Sequence, residues 1–236
     1  MNTNRAEYLP HEGVMLEEIS SIIKDVPTGN FVDATYGFGS HFNLSTIHDH
    51  LNFIGFDRDL ESINNSNSVH NVYHLNFSDI YKYLSQNNHL PLSGIMYDFG
   101  LSSHQIDSNH RGFSFQNNSP LDMRMDMLQD LSAASIVNNY SEEKLTKVLK
   151  AYSEDRFSNK ISKKIIESRP VLTTNELVKA IKEALPRQNP IFTEKTIRRI
   201  FQALRIEVND ELNEITFSLN SIKKSIKKKG IILCIS

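Results

Sequence analysis

The stretch FVDATYGFGSH, residues 31–41, decides the fold. A short apolar run ends at Asp33 and Thr35, a turn carries Gly37 and Gly39, and a short helix is predicted from His41 to about residue 47. Glycine at such a turn lets the backbone pass close to a ligand. A second apolar stretch, NFIGFDRD, places Asp57 at its end, 20 positions after Gly37. At that spacing a nucleotide-binding α/β unit sets an acid against ribose hydroxyls. The glycines alone do not decide the matter. Gly37-Phe38-Gly39-Ser40 lacks the full dinucleotide fingerprint, and a tight strand–helix turn without a ligand would use them as well. Asp98, on the strand predicted over Gly94–Gly100, adds a third acid.

Outward from this core the pattern is regular. Leu16, Ile19, Ile22 and Ile23 recur at helical spacing in a helix predicted from His11 to Ile23. After the short strand that runs out at Asp33 and Thr35, strands are predicted over 52–57, 72–77 and 94–100, with helices over 61–68 and 78–87 between them. Strands separated by helices imply parallel βα units. The period then breaks between Leu101 and Asp130. A loop of this length in a compact domain is functional or disordered. Arg111 and Arg124, with Asp122 and Asp126, argue for an ordered polar loop. Residues 132–185 read as helices, with Thr173 and Glu176 forming a capping box. One long helix is predicted from Glu194 to Lys228, its buried stripe running from Phe201 to Ile226. Gly230 ends it, and a fifth strand follows.

At 236 residues, 39% hydrophobic and 23% charged, the chain suits one large α/β domain or a domain with an inserted module. No apolar run approaches the roughly 18 residues of a membrane span. The first ten residues lack the apolar core of a secretory signal. The single cysteine, Cys234, excludes an intrachain disulfide and a cysteine metal cluster. A cytoplasmic location is expected. The net charge of −2 gives no global attraction for nucleic acid. Between Lys195 and Lys229, however, nine Lys or Arg face four acids. Such a surface can meet a phosphate backbone. A lysine-rich helix end beside a favourable dipole is the plainer alternative.

The segments HEGVMLEE, DATYGFGSH, GFDRD, DFGLSSHQID, RGFSFQNNSPLDMRMD, YSEDRF and FQALRIEVNDEL together resemble one family. It comprises the bacterial and organellar S-adenosylmethionine-dependent enzymes that methylate N4 of a cytidine in small-subunit ribosomal RNA. The resemblance implies an α/β class I methyltransferase fold with a mostly parallel, Rossmann-like sheet. It also implies a cofactor-binding core over 1–104 and 194–236, and an RNA-recognising polar loop and helical insertion over 105–193. The family's glycine-glycine-histidine element falls on Gly39, Ser40 and His41, its ribose acid on Asp57, and its adenine-side aromatic on Phe77. Its strand-four acid falls on Asp98 and its glutamine on Gln105. The cofactor implied is S-adenosylmethionine, leaving as S-adenosylhomocysteine, with no metal.

The chain departs from the family at three places. Ser40 replaces a glycine. Lys195-Thr196-Ile197-Arg198-Arg199 stands where the family has His-Pro-Ala-Thr-Arg. The family's C-terminal segment, with two further strands, is expected to be missing after Ser236. These departures keep a second reading open, a non-catalytic RNA-binding or ribosome-assembly protein on the same fold.

The exocyclic nitrogen of cytosine is a poor nucleophile, because its lone pair is delocalised into the ring. A carboxylate or carbonyl that accepts its hydrogens favours the attacking geometry. Asp98 is the candidate for that catalytic role, with a backbone carbonyl near Gly100 as the alternative. For RNA, Arg111 and Arg124 are candidates to hold phosphates, and Phe113 and Phe115 to stack on a base or pack beneath the loop. Arg199, Lys223 and Lys224 are further candidates. His11 reads as a polar helix start. The partner implied is small-subunit RNA or the assembled subunit, with no membrane, and a homodimer is left open.

Overall fold

The computed structural model describes residues 13–65, 71–186 and 189–236. His11 lies outside the described residues. The chain forms two compact units, 1–100 with 214–236, and 101–213.

The first unit is built on five parallel strands: β1 (Gly29–Asp33), β2 (Leu51–Asp57), β3 (Val72–His74), β4 (Leu92–Asp98) and β5 (Ile226–Ile235). Their order is β3-β2-β1-β4-β5. The α/β class expected from the sequence is the one observed. Successive side chains point to opposite faces of a strand. Phe31, Phe53 and Met96 accordingly join Ile19 and Ile23 on one face. Val32, Ile54 and Ile95 join Ile80, Leu84 and Ile222 on the other. The helices α1 (Leu16–Ile23), α2 (Leu60–Asn65) and α3 (Phe77–Gln86) belong to this unit. A six-residue 3-10 helix, His41–Thr46, stands where the short helix was predicted. β3 stops at His74 rather than Phe77, because Phe77 opens α3.

The second unit is helical: α4 (Ser103–Asp107), α5 (Ala133–Asn139), α6 (Glu142–Ser153), α7 (Ser158–Glu167), α8 (Thr174–Ala184) and α9 (Pro190–Asn209). The irregular stretch after Gly100 contains α4, started by a capping box in which Ser102 accepts from the Gln105 amide. The predicted capping box at Thr173 and Glu176 is present. Ile197, Ile200, Ala203, Leu204 and Val208 of α9 belong to the same core as Ile136, Leu145, Leu149 and Ile181. This packing places α9 with the helical unit, so the compact unit runs from 101 to 213 and not from 105 to 193.

The single helix predicted over 194–228 is two helices. α9 ends at Asn209, and α10 (Glu211–Ile222) follows after Asp210, whose φ of 49° is left-handed. Asp tolerates that region better than most residues. The buried Asn209 side chain accepts from the Met125 amide and donates to the Met123 carbonyl, fixing the break in place. The three- and four-residue apolar spacing runs through the junction without a visible fault. β5 also begins at Ile226 rather than after Gly230. Ile226 pairs with Leu92, and a register shift takes up Lys227–Gly230 before Ile231 pairs with Gly94.

Candidate cofactor site at the strand tips

In an open parallel sheet, ligands bind beyond the carboxyl ends of the strands, where the order reverses. Here the order reverses between β1 and β4. The strands β1, β2 and β4 end on Asp33, Asp57 and Asp98.

The loop leaving β1 is held from both sides. The Ala34 amide donates to the Met96 carbonyl at 3.0 Å, and the Tyr36 amide to the Phe56 carbonyl at 2.9 Å. Gly37 then donates its amide to Oδ2 of Asp57 at 2.6 Å. Oδ1 of Asp57 accepts from the Asp59 amide at 2.8 Å. Each carboxylate oxygen has a second lone pair, so a fixed Asp57 can still accept from hydroxyls of a ligand. Burial pushes its carboxyl up to about 6, against the pull of the Asp59 and Gly37 amides.

Asp33 is fully buried. Its Oδ1 accepts from the Thr35 amide at 3.0 Å, while its Oδ2 meets no hydrogen-bond partner among the described residues. Burial, countered mainly by His41, pushes Asp33 up to about 6. Thr35 also ties the third tip. Its Oγ1 accepts the Asp98 amide at 2.8 Å. The Asp98 carboxylate, half-buried, makes no hydrogen bond to the described residues. Sequence reasoning placed Asp33 and Thr35 only as a strand end. The Asp-x-Thr spacing, which supports a local side-chain turn, was the available signal.

Gly39 has φ +81°, and a Cβ there would lie 2.7 Å from the Tyr36 hydroxyl, so glycine is required. Ser40 has φ −58° and ψ −43°. That is ordinary right-handed backbone, so the serine in place of the family's glycine brings no backbone strain. His41 is buried, and its Nε2 lies 3.0 Å from the Val14 carbonyl, tying the loop to the start of α1. Phe77 meets Tyr97 edge-on at 5.5 Å and Phe99 at 6.1 Å, forming an aromatic group behind the tip of β4. Gln105 belongs to the helical unit. It is buried, and its Oε1 accepts from the Ser102 amide at 3.1 Å.

Several RNA candidates prove structural. Arg111 has no exposed surface and donates Nη2 to the Arg124 and Met125 carbonyls, both at 3.0 Å. In this arrangement its guanidinium serves the loop and not the surface. Arg124 grips Asp122 through two hydrogen bonds and caps the Gln129 carbonyl at 2.7 Å. The two arginines thus staple the long loop. Phe113 is buried in the helical core, and Phe115 packs edge-on against Phe201. Arg199 remains half-exposed on α9.

Lys223 and Lys224 are exposed, but they precede β5. Ile226 pairs with Leu92 and Ile235 with Asp98. The lysines therefore sit at the amino end of the sheet, about 20 Å from the Asp98 tip at about 3.3 Å per residue. They cannot touch a base at that tip. The altered segment 195–199 is folded into α9. Thr196 and Ile197 are buried, and the Thr196 hydroxyl donates to Asp155 at 3.0 Å.

Among the described residues, no group of three or more His, Cys, Asp or Glu is arranged to hold a metal ion. No helix of the described residues is long and apolar enough to cross a membrane.

Residues 8–236 match the model of the MraW methylase family. The ribosomal RNA small subunit methyltransferase H of Halothermothrix orenii is 40% identical over 97% of this chain and 77% of the relative. The proteins of the same name from Clostridioides difficile and Caldicellulosiruptor bescii are each 39% identical, over 95% and 96% of this chain and 76% of each relative.

Proposed function

The chain belongs to the MraW methylase family, and from that membership we propose that it transfers a methyl group from S-adenosylmethionine to N4 of a cytidine in small-subunit ribosomal RNA. The observation that best supports this reading is the set of three acids at adjoining strand tips, with Asp57 and Asp98 both tied to the one loop that leaves β1.

The residues suit the cofactor. Its ribose offers hydroxyls, for which Asp57 has lone pairs to spare. Its methionine end carries an ammonium, for which the unpartnered, buried Oδ2 of Asp33 is a matching acceptor. Gly39, Ser40 and His41 line the loop that approaches the cofactor, and Phe77 offers an apolar wall for the adenine. When bound, S-adenosylmethionine supplies an already activated sulfonium methyl. What remains for the chain is positioning in line with that methyl. Asp98 accepts the hydrogens of the exocyclic amine and turns its nitrogen toward the methyl. The Thr35 hydroxyl holds the Asp98 backbone while it does so. Asp98 is in this reading the catalytic residue, in the cytoplasm the natural setting for the RNA.

The test is a calorimetric titration with S-adenosylmethionine, followed by single-turnover transfer to small-subunit RNA and mapping of the modified base. Micromolar binding and N4-methylcytidine in the product are expected. Binding absent at about 1 mM, or methylation at another base or atom, would overturn the proposal.

A further inference from the structure

The helical unit carries an exposed arginine within cation–π distance of two aromatic rings. Arg156 is exposed, immediately before α7. Its guanidinium carbon lies 4.8 Å from the ring centre of Phe157 and 5.4 Å from that of Phe192, at the start of α9. The two rings meet edge to face at 6.0 Å. The Lys160 ammonium stands 5.9 Å from the Phe157 ring. Ile191, beside Phe192, is 76% exposed. The base of the cluster is fixed. Asp155 is buried, accepts the Phe157 amide at 2.9 Å and takes the Thr196 hydroxyl, so α7 and α9 are joined beneath the rings.

The surrounding charge is one-sided. Residues 154–163 and 189–199 hold six Lys or Arg and three acids. Of the acids, Asp155 is buried and engaged, Glu194 is taken by Arg198 at 2.6 Å, and Glu154 is left exposed against five cations. Lys160 and Lys163 share one face of α7 by their spacing, and Lys195 and Arg199 share one face of α9. Among the described residues, Arg156, Lys160, Lys163, Lys195 and Arg199 have no carboxylate partner.

We propose that Arg156, backed by Phe157 and Phe192, is a stacking platform for an unpaired nucleobase of the RNA substrate, with Lys160 and Lys195 holding the adjoining phosphates. A planar guanidinium held within cation–π distance of two rings is pre-ordered to take a base on its plane and a phosphate on its N–H edge. A protein partner would call for a larger apolar surface than two half-buried rings and one isoleucine. A paired RNA helix presents phosphates but no free base face, so the aromatic backing favours a single strand. This inference rests on the proposed RNA substrate and adds where that RNA is gripped, apart from the strand-tip acids.

The test measures the affinity of the full chain for a labelled single-stranded oligocytidylate, and for the same strand annealed to its complement, across a salt series. Arg156→Gln is expected to weaken single-strand binding about tenfold and to flatten the salt slope by about 0.7. Arg156→Lys keeps the charge and loses the plane, so it should weaken binding several-fold with the slope unchanged. Duplex binding should change little in Arg156→Lys. Melting temperature and cofactor titration check that the exposed substitutions leave the fold intact. Wild-type affinity in both variants would overturn the platform, as would equal losses for single strand and duplex. Methyl transfer by the wild type is assayed alongside. An active enzyme whose Arg156 variants bind normally rejects the platform and spares the proposed function. An inactive chain whose variants still lose single-strand affinity supports the platform and rejects the methyl transfer.

Discussion

The carboxylate of Asp57 accepts the backbone amide of Gly37 at 2.6 Å, so the acid at the tip of β2 holds the glycine loop that leaves β1. Its other oxygen accepts from Asp59. Asp57→Ala therefore removes the proposed ribose contact and two loop anchors together. A charge-assisted contact is worth about 1.5–3 kcal/mol, so cofactor affinity should fall about ten- to a hundredfold. Asp57→Asn should do nearly as badly. An amide has one oxygen for two backbone donors and must face the other with its own NH2. Calorimetric titration of both variants checks this, and near-normal affinity in Asp57→Asn would contradict it.

The Thr35 hydroxyl links two tips, donating to Oδ1 of Asp33 at 3.5 Å and accepting the Asp98 amide at 2.8 Å. Thr35→Val fills the same space but leaves the Asp98 amide without its acceptor, at a cost of about 1–3 kcal/mol. The expected result is a lower melting temperature and a fall in single-turnover rate that exceeds the fall in cofactor affinity. Thr35→Ser keeps the hydroxyl and should restore most of the rate. A valine variant with normal turnover would remove Thr35 from any positioning role.

The β-strand half of the fold was legible because burial on both faces writes apolar runs into β2 and β4. The spacing from Gly37 to Asp57 was legible because it is local to one βα unit. Other features were hidden for physical reasons. The break at Asp210 costs little in an acid with left-handed backbone, and the apolar period continues across it, so nothing in the spacing marks it. The start of β5 depends on pairing with Leu92, a partner far away in the chain. The roles of Arg111 and Arg199 could not be told apart by residue type, because burial alone separates them. Asp33 looked like a plain strand end, and its unpartnered oxygen exists only in the folded arrangement.

Protonation should move stability and cofactor affinity in opposite directions. Burial raises Asp33 and Asp57 from 3.8 to about 6. The folded state thus takes up their protons more readily than the unfolded chain. The stability this contributes is full below about pH 4 and is lost as pH rises through about 6. Asp33→Asn keeps Oδ1 as the acceptor for Thr35 and removes the buried charge. It should melt above the wild type at pH 7.5, with the gap closing toward pH 5. Its cofactor affinity should nevertheless be lower at pH 7.5, and wild-type affinity should itself fall as pH drops below about 6. A constant melting gap across this range would refute the assignment.

Arg111 should behave as part of the fold. Its guanidinium, fully buried, ties the turn at 124–125. Arg111→Met removes the buried charge and both bonds, leaving two carbonyls unsatisfied. A loss of about 2–4 kcal/mol is expected. Denaturant unfolding reads this directly. At temperatures where the variant stays folded, the salt dependence of RNA binding should match the wild type. A flatter slope would mean that Arg111 reaches a phosphate after all.

Asp57 and Asp98 differ in how they are held, and this separates their roles. Backbone amides fix both oxygens of Asp57. At Asp98 the backbone is fixed by Thr35, and the carboxylate has no hydrogen bond among the described residues. A fixed acid suits a cofactor that must sit in one place. A carboxylate without a protein partner suits an amine that arrives with the RNA. Asp98→Asn keeps the shape, keeps one acceptor oxygen and removes the charge. Cofactor affinity should change by less than about threefold, because the proposed ribose contacts lie at Asp57. The rate of single-turnover transfer at saturating cofactor should fall by about a hundredfold, within the range of a positioned acid–base group. Asp98→Ala should fall further, since no acceptor remains. The comparison with Asp57→Ala is decisive, because that variant should recover most of its rate once cofactor is raised to saturation. Should Asp98→Asn also recover with added cofactor, Asp98 would be a binding residue, and the acceptor for the amine would have to be a backbone carbonyl near Gly100.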